Sequence, residues 1–332
     1  VAEIVSMGER TSVRMLKAAL SNRGVTARFV EPGDDDWPII VDAAGEVDQD
    51  ATTAQVDRLA DTLSDSVPVV TGFLAEDPDG RITTLGRGGS DTTAVMLGRY
   101  LGADLVVIVT DVEGVMTGDP RAVEGARNVG EITVDELRSL SFRGAEVVAP
   151  SALAYKTEDL EVRVLHYQNR DLLTGGTDIV GQFENLIDMR EHALSCLTVA
   201  GRAVRNQPGI LSNLSTALGD ESINVDAVSS GLDSITLYVD ADVADEAESV
   251  LHHEVIGNQT LSSVTVEDPI AVIRVTGGDL TDQRDVVIDM LSALGEDGIG
   301  VHDVITSATS AGVFVDWDDR EAALERIQAA FD

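Results

Sequence analysis

The chain has 332 residues, and its 43 % apolar content is enough to form the buried cores of two or three domains. No segment reaches the roughly 18 consecutive apolar residues that a membrane-spanning helix requires. The one cysteine, Cys196, has no internal disulfide partner and is expected to be a small buried hydrophobe. Residues 1–5 lack the features of a signal peptide, so we expect a cytoplasmic location.

The formal net charge is −36, and lysine is nearly absent from the basic residues. A surface with this charge repels nucleic acid and anionic membranes, which excludes both as partners. The acidic residues are spread along the chain, as in proteins that stay soluble at very high salt, where repulsion is screened within about 3 Å at 1 M. We therefore expect a halophilic protein. The acidic runs at 34–36 and 316–319 are expected to be solvated surface, and no metal ligands are assigned.

Residues 1 to about 185 alternate between strand-like and helix-like segments. Apolar runs rich in β-branched residues predict strands, and apolar residues spaced three or four apart predict helices. The predicted strands are 2–5, 27–30, 67–74, 104–109 and 162–165, and the predicted helices are 12–23, 52–64, 90–101 and 134–140. This alternation predicts an α/β domain in which helices cover both faces of an open sheet.

A glycine-rich segment, Thr-Thr-Leu-Gly-Arg-Gly-Gly-Ser-Asp at 83–91, stands between a predicted strand and a predicted helix. Gly88 and Gly89 lack Cβ atoms, so backbone N–H groups can approach an anion at the positive end of the helix dipole. Arg87 adds a guanidinium that can bind a carboxylate or a phosphate. Two glycines alone would favour a tight turn with Arg87 on the surface, and the rest of the chain favours the anion site.

The predicted strand 104–109 ends in Thr110 and Asp111, and ligands of open α/β sheets bind beyond the carboxyl ends of such strands. The segment that follows, 114–121, is too rich in glycine and proline for a helix and carries another carboxylate and another guanidinium. We expect this region to border a pocket, although its Asp-Pro pair also suits the start of a simple turn.

From about residue 192 the pattern changes to two copies of strand, helix, strand, strand and helix. The predicted segments of the first copy are 197–200, a helix start at 206–211, 223–226 and 234–239, and those of the second are 271–275, 289–294, 300–303 and 312–315. The two copies predict two small α+β domains with one plan.

Three motifs resemble those of aspartate kinases of the amino-acid kinase family: Gly-Glu-Arg-Thr-Ser at 8–12, the segment 83–91, and Thr-Asp-Val-Glu-Gly-Val-Met-Thr-Gly-Asp-Pro-Arg at 110–121. The motifs at 142–145 and 174–177 extend the resemblance, and the C-terminal repeat is similar to a pair of ferredoxin-like ACT regulatory domains. The resemblance implies a catalytic amino-acid kinase domain at 1–188 and ACT domains at 192–267 and 268–332.

The resemblance implies an enzyme that uses ATP and Mg²⁺ to phosphorylate the side-chain carboxylate of L-aspartate, in the biosynthesis of lysine, threonine and methionine. Because this carboxylate is already ionised, positioning and charge neutralisation would carry the catalysis. Glu9 would bind the aspartate ammonium and Arg87 its α-carboxylate, with Ser90 and Asp91 completing the site. The expected catalytic residues are Arg87, Ser90 and Asp91.

By the same resemblance, the nucleotide would contact Thr110, Asp111, Met116 and Arg121. Met116 stands where the family usually has tyrosine, and its thioether can still pack against adenine. The effector pocket of the ACT pair would include Gly209, Ile210, Asn224, Val225 and Asp226. Lysine or threonine is the expected effector, and the ACT domains are expected to form a homo-oligomer, although Asn224 equally suits the cap of a turn.

The chain departs from the family pattern at three places. The family's amino-terminal Lys-Phe-Gly-Gly-Thr-Ser loop, which supplies a phosphate-binding lysine, has no counterpart here, so we expect an N-terminally truncated domain. Glu146 stands where the family usually has lysine, and Ala149 where it usually has histidine. Either a cation bridges Glu146 to phosphate, or Glu146 faces solvent and Lys156 or Arg121 serves instead.

Two alternatives differ from the kinase hypothesis. A catalytically silent subunit that senses an amino acid would explain the missing lysine loop, whereas the intact motifs at 83–91 and 110–121 favour an active enzyme. A kinase acting on glutamate or acetylglutamate would explain the phosphate loops but not the tandem ACT repeat.

Overall fold

A computed structural model describes residues 2–141, 147–182, 186–202, 204, 207–267, 269–277, 286–307 and 310–331. It divides into two compact units between residues 184 and 185. The motif at 142–145 and Glu146 lie outside the described residues. No helix among the described residues is long and apolar enough to cross a membrane.

The N-terminal unit alternates helices and strands, as the sequence predicts. Its helices are α1 (Ala2–Asn22), α2 (Gln49–Ala60), α3 (Gly89–Tyr100), α4 (Val134–Ser141) and the single turn α5 (Pro150–Leu153). Its strands are β1 (Ala27–Val30), β2 (Val67–Val70), β3 (Leu74–Glu76), β4 (Ile82–Thr84), β5 (Leu105–Thr110), β6 (Glu131–Thr133), β7 (Glu161–His166) and β8 (Thr177–Val180).

Parallel pairing places the carboxyl ends of neighbouring strands together. β1 pairs with β2, and β5 pairs with β7, both in parallel, within a four-stranded order β5-β7-β8-β6. β3 and β4 form an antiparallel hairpin, whose turn contains Asp79 and Gly80, a residue pair that favours hairpin turns. Among the described residues of the unit, one large apolar cluster surrounds the β5–β8 sheet and another surrounds Trp37, Leu74 and Met96. A smaller cluster lies between α1 and the strands β1 and β2.

The first predicted strand is wrong. Residues 2–5 begin α1, which runs without interruption through the predicted helix 12–23 to Asn22. The apolar residues Ile4 and Val5 suggested a strand, but they lie on the exposed face of a helix whose buried residues are Ser6 and Val13. Ser6 and Val13 are seven residues apart, which is about two helical turns, so the periodic face of the helix extends past the short apolar run.

The C-terminal unit carries the predicted repeat. Its strands are β9 (Leu186–Met189), β10 (Leu194–Gly201), β11 (Ala227–Ser230), β12 (Ser234–Asp240), β13 (Leu261–Val266), β14 (Ile270–Thr276), β15 (Val301–Thr306) and β16 (Ser310–Asp316). Its helices are α6 (Ile210–Asp220), α7 (Ala244–Gly257), α8 (Val286–Glu296) and α9 (Arg320–Phe331). These eight strands form one sheet.

Both copies of the repeat have the ferredoxin-like strand arrangement. In the first copy β10 lies between β12 and β13, and β11 flanks β12. In the second copy β14 lies between β16 and β9, and β15 flanks β16. The fourth strand of the second copy is therefore β9, which precedes the first copy in the chain and falls outside the predicted limits 268–332. A short contact between β10 and β14 joins the two copies.

In the first copy, the predicted position of the second strand is wrong and the predicted burial of the cysteine is confirmed. The strand predicted at 223–226 is wrong, because this segment is an irregular connection and the strand is Ala227–Ser230. Only Ile223 of that segment is buried, where it closes the core beneath α6. Cys196 is buried as predicted, at 7 % exposure, and burial raises the pKa of its thiol.

Candidate functional site

The glycine-rich segment forms the connection between β4 and α3. Gly86 and Gly88 have left-handed backbone conformations, with φ of 77° and 74°. Gly88 is the N-cap of α3 and provides no side chain to the first N–H groups of the helix. These N–H groups and the positive end of the helix dipole are suited to an anion, and anion binding here stays a prediction.

Close backbone contacts hold this loop against the segment that follows β2. A Cβ atom on Gly72 would lie 3.1 Å from Ser90, and one on Gly89 would lie 3.0 Å from the ring of Phe73. The Phe73 N–H also donates to the hydroxyl of Thr93, one turn into α3, at 3.2 Å. α3 therefore begins directly beyond the carboxyl end of β2, where open α/β sheets bind their ligands.

Asp91 joins the start of α3 to α5. Its Oδ2 atom accepts a hydrogen bond from the Ala149 N–H at 3.1 Å, and the neighbouring Thr92 hydroxyl lies 2.8 Å from that of Ser151. Burial raises the pKa of the Asp91 carboxyl, and the Ala149 hydrogen bond acts in the opposite direction. Asp91 thus has a structural contact that the sequence did not indicate, and its catalytic role stays a prediction, as do those of the exposed Arg87 and Ser90.

Thr110 and Asp111 lie at the same end of the N-terminal unit as the glycine loop. α3 has 12 residues and β5 has 6, which correspond to roughly 18 Å and roughly 20 Å. Because β5 follows α3 after a short turn and runs back along it, the carboxyl end of β5 lies at the same end of the unit as the start of α3. Asp111 is exposed there, and its Oδ1 atom accepts from the Thr110 hydroxyl at 3.3 Å.

Thr177 fixes the predicted nucleotide loop. Its buried hydroxyl accepts from the Val115 N–H at 2.9 Å and donates to the Val129 carbonyl oxygen at 2.7 Å. The Asn128 amide lies 3.2 Å from the same oxygen, and a Cβ on Gly114 would lie 2.6 Å from it. In the sequence Thr177 is only one residue of the motif at 174–177, because a threonine at the start of a strand gives no local signal of this contact.

Met116 and Arg121 lie on this loop in different surroundings. Met116 is half-buried and forms an isolated bridge with Asn128. Arg121 is exposed and pairs with Asp119, with 3.1 Å between Nε and Oδ1. The Arg121 hydrogen bonds lower the pKa of Asp119. To bind a phosphate of the nucleotide, Arg121 would have to break its ion pair with Asp119.

Glu9 lies in α1 and is half-buried. α1 packs against β1, β2 and β4, and β4 leads directly into the glycine loop. The helix that carries Glu9 therefore contacts the strand that carries the loop of Arg87.

Lys156 is not placed to serve as a phosphate-binding cation. Its side chain is buried, and Nζ donates to the carbonyl oxygens of Thr157 at 2.8 Å and Gly181 at 2.7 Å. Burial lowers the pKa of its ammonium. Lys156 therefore supports the chain around β7, and of the two cations suggested from the sequence Arg121 remains. The alternatives for Glu146 fall outside the described residues.

A surface depression on the N-terminal unit contains none of the predicted site residues. It is open, measures about 420 Å³ and lies between α1 and the segment after β1. Its lining residues are Lys17, Arg28, Phe29, Asp34, Asp35 and Asp36. The charges are mixed, and Arg28 already pairs with Asp36.

The C-terminal unit has a cleft of about 590 Å³ at the start of α6. Gly209 and Ile210 line it, together with the turn between β11 and β12. Asn224, Val225 and Asp226 follow the other end of this 11-residue helix, roughly 16 Å away. Asp226 pairs with Arg190, with 2.7 Å between Oδ1 and Nη1. A single chain therefore does not bring the five predicted effector residues into one cleft.

Comparison with known proteins identifies the family of the chain. Residues 1–166 match the model of the amino acid kinase family, and residues 197–255 match that of an ACT domain. The chain is 30 % identical to an aspartate kinase of Pseudomonas fluorescens, over 99 % of this chain and 81 % of that protein. The chain belongs to the aspartate kinases. An aspartokinase of Thermus thermophilus is 29 % identical, over 99 % of this chain and 82 % of its own length.

Solved structures of aspartate kinases share the fold. The aspartate kinase from Synechocystis has a TM-score of 0.80 and 27 % identity, covering 98 % of this chain and 57 % of its own. E. coli aspartokinase III, solved in complex with aspartate and ADP, has a TM-score of 0.51 and 25 % identity, covering 100 % of this chain and 76 % of its own. The amino-acid kinase fold and the ACT repeat predicted from the sequence are confirmed.

Proposed function

We propose that the chain is an aspartate 4-kinase, which transfers the γ-phosphoryl group of ATP to the side-chain carboxylate of L-aspartate. The observation that carries the proposal is the position of the glycine loop. It begins α3 at the same end of the unit as Asp111, in a chain that aligns over 99 % of its length with aspartate kinases. Backbone N–H groups and exposed charged side chains meet there, as a reaction between two anions requires.

In this site Glu9 is proposed to bind the substrate ammonium, and Arg87 its α-carboxylate as a bidentate fork. Ser90 and Asp91 complete the aspartate side. The nucleotide side consists of Thr110, Asp111, Met116 and Arg121. Mg²⁺ is expected to arrive on the phosphates of ATP, whose charge it neutralises, and the exposed carboxylate of Asp111 is the kind of oxygen ligand that it prefers.

The proposal is tested by measuring ATP- and Mg²⁺-dependent formation of aspartyl hydroxamate in molar KCl, with glutamate and N-acetylglutamate as alternative substrates. We expect product from aspartate alone. Arg87→Ala should raise the KM for aspartate by roughly 10- to 100-fold, the loss of one or two charged hydrogen bonds. Arg99→Ala, which removes an exposed arginine from the other end of α3, is the matched control and should have the wild-type KM.

Product from glutamate or N-acetylglutamate would contradict the substrate assignment. Absence of product from all three, combined with binding of an amino acid to the C-terminal unit, would support a silent sensing subunit. Equal effects of Arg87→Ala and Arg99→Ala would contradict the role of the glycine loop.

We also propose feedback regulation through the ACT repeat, with the cleft at the start of α6 as the effector site. E. coli aspartokinase III has been solved with lysine and aspartate, which makes lysine the first effector to test, followed by threonine. Gln207→Ala alters the cleft, and Asp226→Asn alters the other end of α6. If only Gln207→Ala weakens inhibition, the cleft is sufficient. If both do, two copies of the chain contribute to one site, and sedimentation should show the homo-oligomer.

A further inference from the structure

Glu31 is a buried carboxylate at the carboxyl end of β1. Its side chain is 8 % exposed, and Oε1 accepts hydrogen bonds from Nη2 of Arg10 and Nη2 of Arg14, each at 2.6 Å. The hydrogen bond from Arg10 lowers the pKa of Glu31 and raises that of Arg10. One ionised carboxylate therefore binds two guanidinium groups that lie one turn apart on α1.

The backbone places Glu31 at the same edge as the proposed aspartate site. The Thr71 N–H donates to the Val30 carbonyl oxygen at 3.0 Å, so the residues after β1 and β2 lie side by side. Gly72, the next residue after Thr71, packs against Ser90 at the start of α3. Glu31 is thus separated from the start of α3 by one strand connection.

Apolar packing alone fixes α1 poorly. Its buried contact with β1 and β2 consists of Val13, Ala27 and Val69, with Leu20 at the margin. Such a small cluster resists rotation of the helix weakly, and one residue of slippage would turn Glu9 by roughly 100°. The two ion pairs of Glu31 supply directional contacts that the apolar cluster lacks.

The ion pairs are not an efficient way to stabilise the fold. Among the described residues, Oε2 of Glu31 and Nε of Arg10 are buried without a hydrogen bond. Apolar side chains of similar volume often stabilise a buried position as well as an ion pair does. A partly satisfied polar cluster next to a ligand site indicates a requirement for geometry rather than for stability.

We infer that Glu31 is a positioning residue for aspartate binding. By holding Arg10 and Arg14 it fixes the rotation of α1, and so the direction of Glu9, which immediately precedes Arg10. This inference rests on the proposed aspartate kinase function and on Glu9 as the group that binds the substrate ammonium. Glu31 acts through α1 and does not contact the reacting atoms.

The experiment compares wild type, Glu31→Gln, Arg14→Gln and Asp36→Asn in the hydroxamate assay, with aspartate and ATP varied separately. Glu31→Gln should raise the KM for aspartate about tenfold or more while the KM for ATP stays unchanged, because misplacement of a binding group affects only its own substrate. Arg14→Gln changes a half-exposed residue that tolerates substitution, and should raise the same KM by a smaller factor. Asp36→Asn breaks the ion pair between the segment after β1 and Arg28 of β1, and is the matched control, with the wild-type KM.

Thermal unfolding of each variant separates positioning from loss of fold. The inference is overturned if folded Glu31→Gln has the wild-type KM for aspartate, if the KM for ATP rises equally, or if Asp36→Asn has the same effect. A wild-type chain that phosphorylates no aspartate overturns the proposed function instead. Calorimetric titration of aspartate into the four proteins then tests the positioning role, and equal affinities, or no binding at all, overturn it.

Discussion

Single residues decide the geometry of the glycine loop, and its two left-handed glycines have different surroundings. A Cβ at Gly86 would meet no atom within 4 Å, whereas one at Gly88 would lie 2.2 Å from the Cβ of Ala149. Both positions have positive φ, which an L side chain adopts at a cost of roughly 1–2 kcal/mol. Only Gly88 adds a steric clash to that cost, because α5 begins directly against it.

We therefore predict that Gly88→Ala lowers the free energy of unfolding by several kcal/mol and abolishes hydroxamate formation, because α3 and α5 must separate. Gly86→Ala is the control for backbone strain and should cost only about 1–2 kcal/mol. Urea unfolding in molar KCl measures both values. Equal losses in the two variants would show that the contact with Ala149 is not restrictive.

Lys156 gives a second prediction at this scale. Lys156→Met keeps the apolar stem and removes the donor to two carbonyl oxygens, so it should lower the free energy of unfolding by about 1–3 kcal/mol for each oxygen left buried without a partner. The KM for ATP should not change in the folded variant. A raised KM for ATP without lost stability would instead make Lys156 a phosphate ligand.

The difference in the free energy of unfolding between wild type and Lys156→Met should change with pH in a defined direction. Burial lowers the pKa of folded Lys156 below its ordinary value of 10.5, so the folded state binds fewer protons than the unfolded state in that interval. The free energy of unfolding of wild type should rise, relative to Lys156→Met, as pH increases from the folded pKa towards 10.5. A constant difference between the two proteins across this interval would contradict the shift.

Whole elements were predictable where their pattern is long and continuous. The helical period of α3 and the β-branched run of β5 predict these elements within one or two residues. The predicted helix begins later than α1 does, because the first apolar residues of α1 lie outside its buried face. The strand after α6 was placed too early because Ile223 and Val225 pack beneath the helix before pairing begins.

Contacts between distant elements were not predictable. The glycine loop follows from residue types, since glycine is the residue that adopts φ above zero most readily and lets an anion approach the backbone at a helix start. The contacts of Asp91 with Ala149, of Thr177 with Val115 and of Glu31 with α1 join segments that are 17 to 62 residues apart. A single sequence contains both residues of each contact, but it gives no signal that they come together in the fold. The pairing of β9 with β14, which makes β9 the fourth strand of the second ACT copy, is not predictable for the same reason.

We predict that the conformation of the loop 114–129 depends on the hydroxyl group of Thr177. Thr177→Val keeps the shape of the side chain but leaves the Val115 N–H and the Val129 carbonyl oxygen without this partner. We expect the KM for ATP to rise several-fold, with the KM for aspartate unchanged, and the free energy of unfolding to fall by about 1–3 kcal/mol for each group left buried. Thr177→Ser retains the hydroxyl and is the control. If Thr177→Val binds ATP as wild type does, the loop does not depend on this bond for its conformation.

Charge is the property of the whole molecule that the fold does not explain. The described ion pairs engage only a minority of the acidic side chains, and the 23 basic residues are too few to pair with 59 acidic ones. The repulsion among the remaining carboxylates opposes compactness and extends over about 10 Å at 0.1 M salt, but only about 3 Å at 1 M. Each of the two units carries this repulsion in its own surface.

We therefore predict that the midpoint of thermal unfolding rises with KCl, and that most of the rise occurs below about 1 M, where the screening length changes most. Choline chloride at the same ionic strength is the control. A similar rise in both salts would identify screening, because it depends on ionic strength alone. A rise in KCl only would identify binding of potassium to carboxylates. A midpoint that is already maximal in dilute buffer would contradict the halophilic assignment, because an excess of 36 negative charges would then be tolerated without salt.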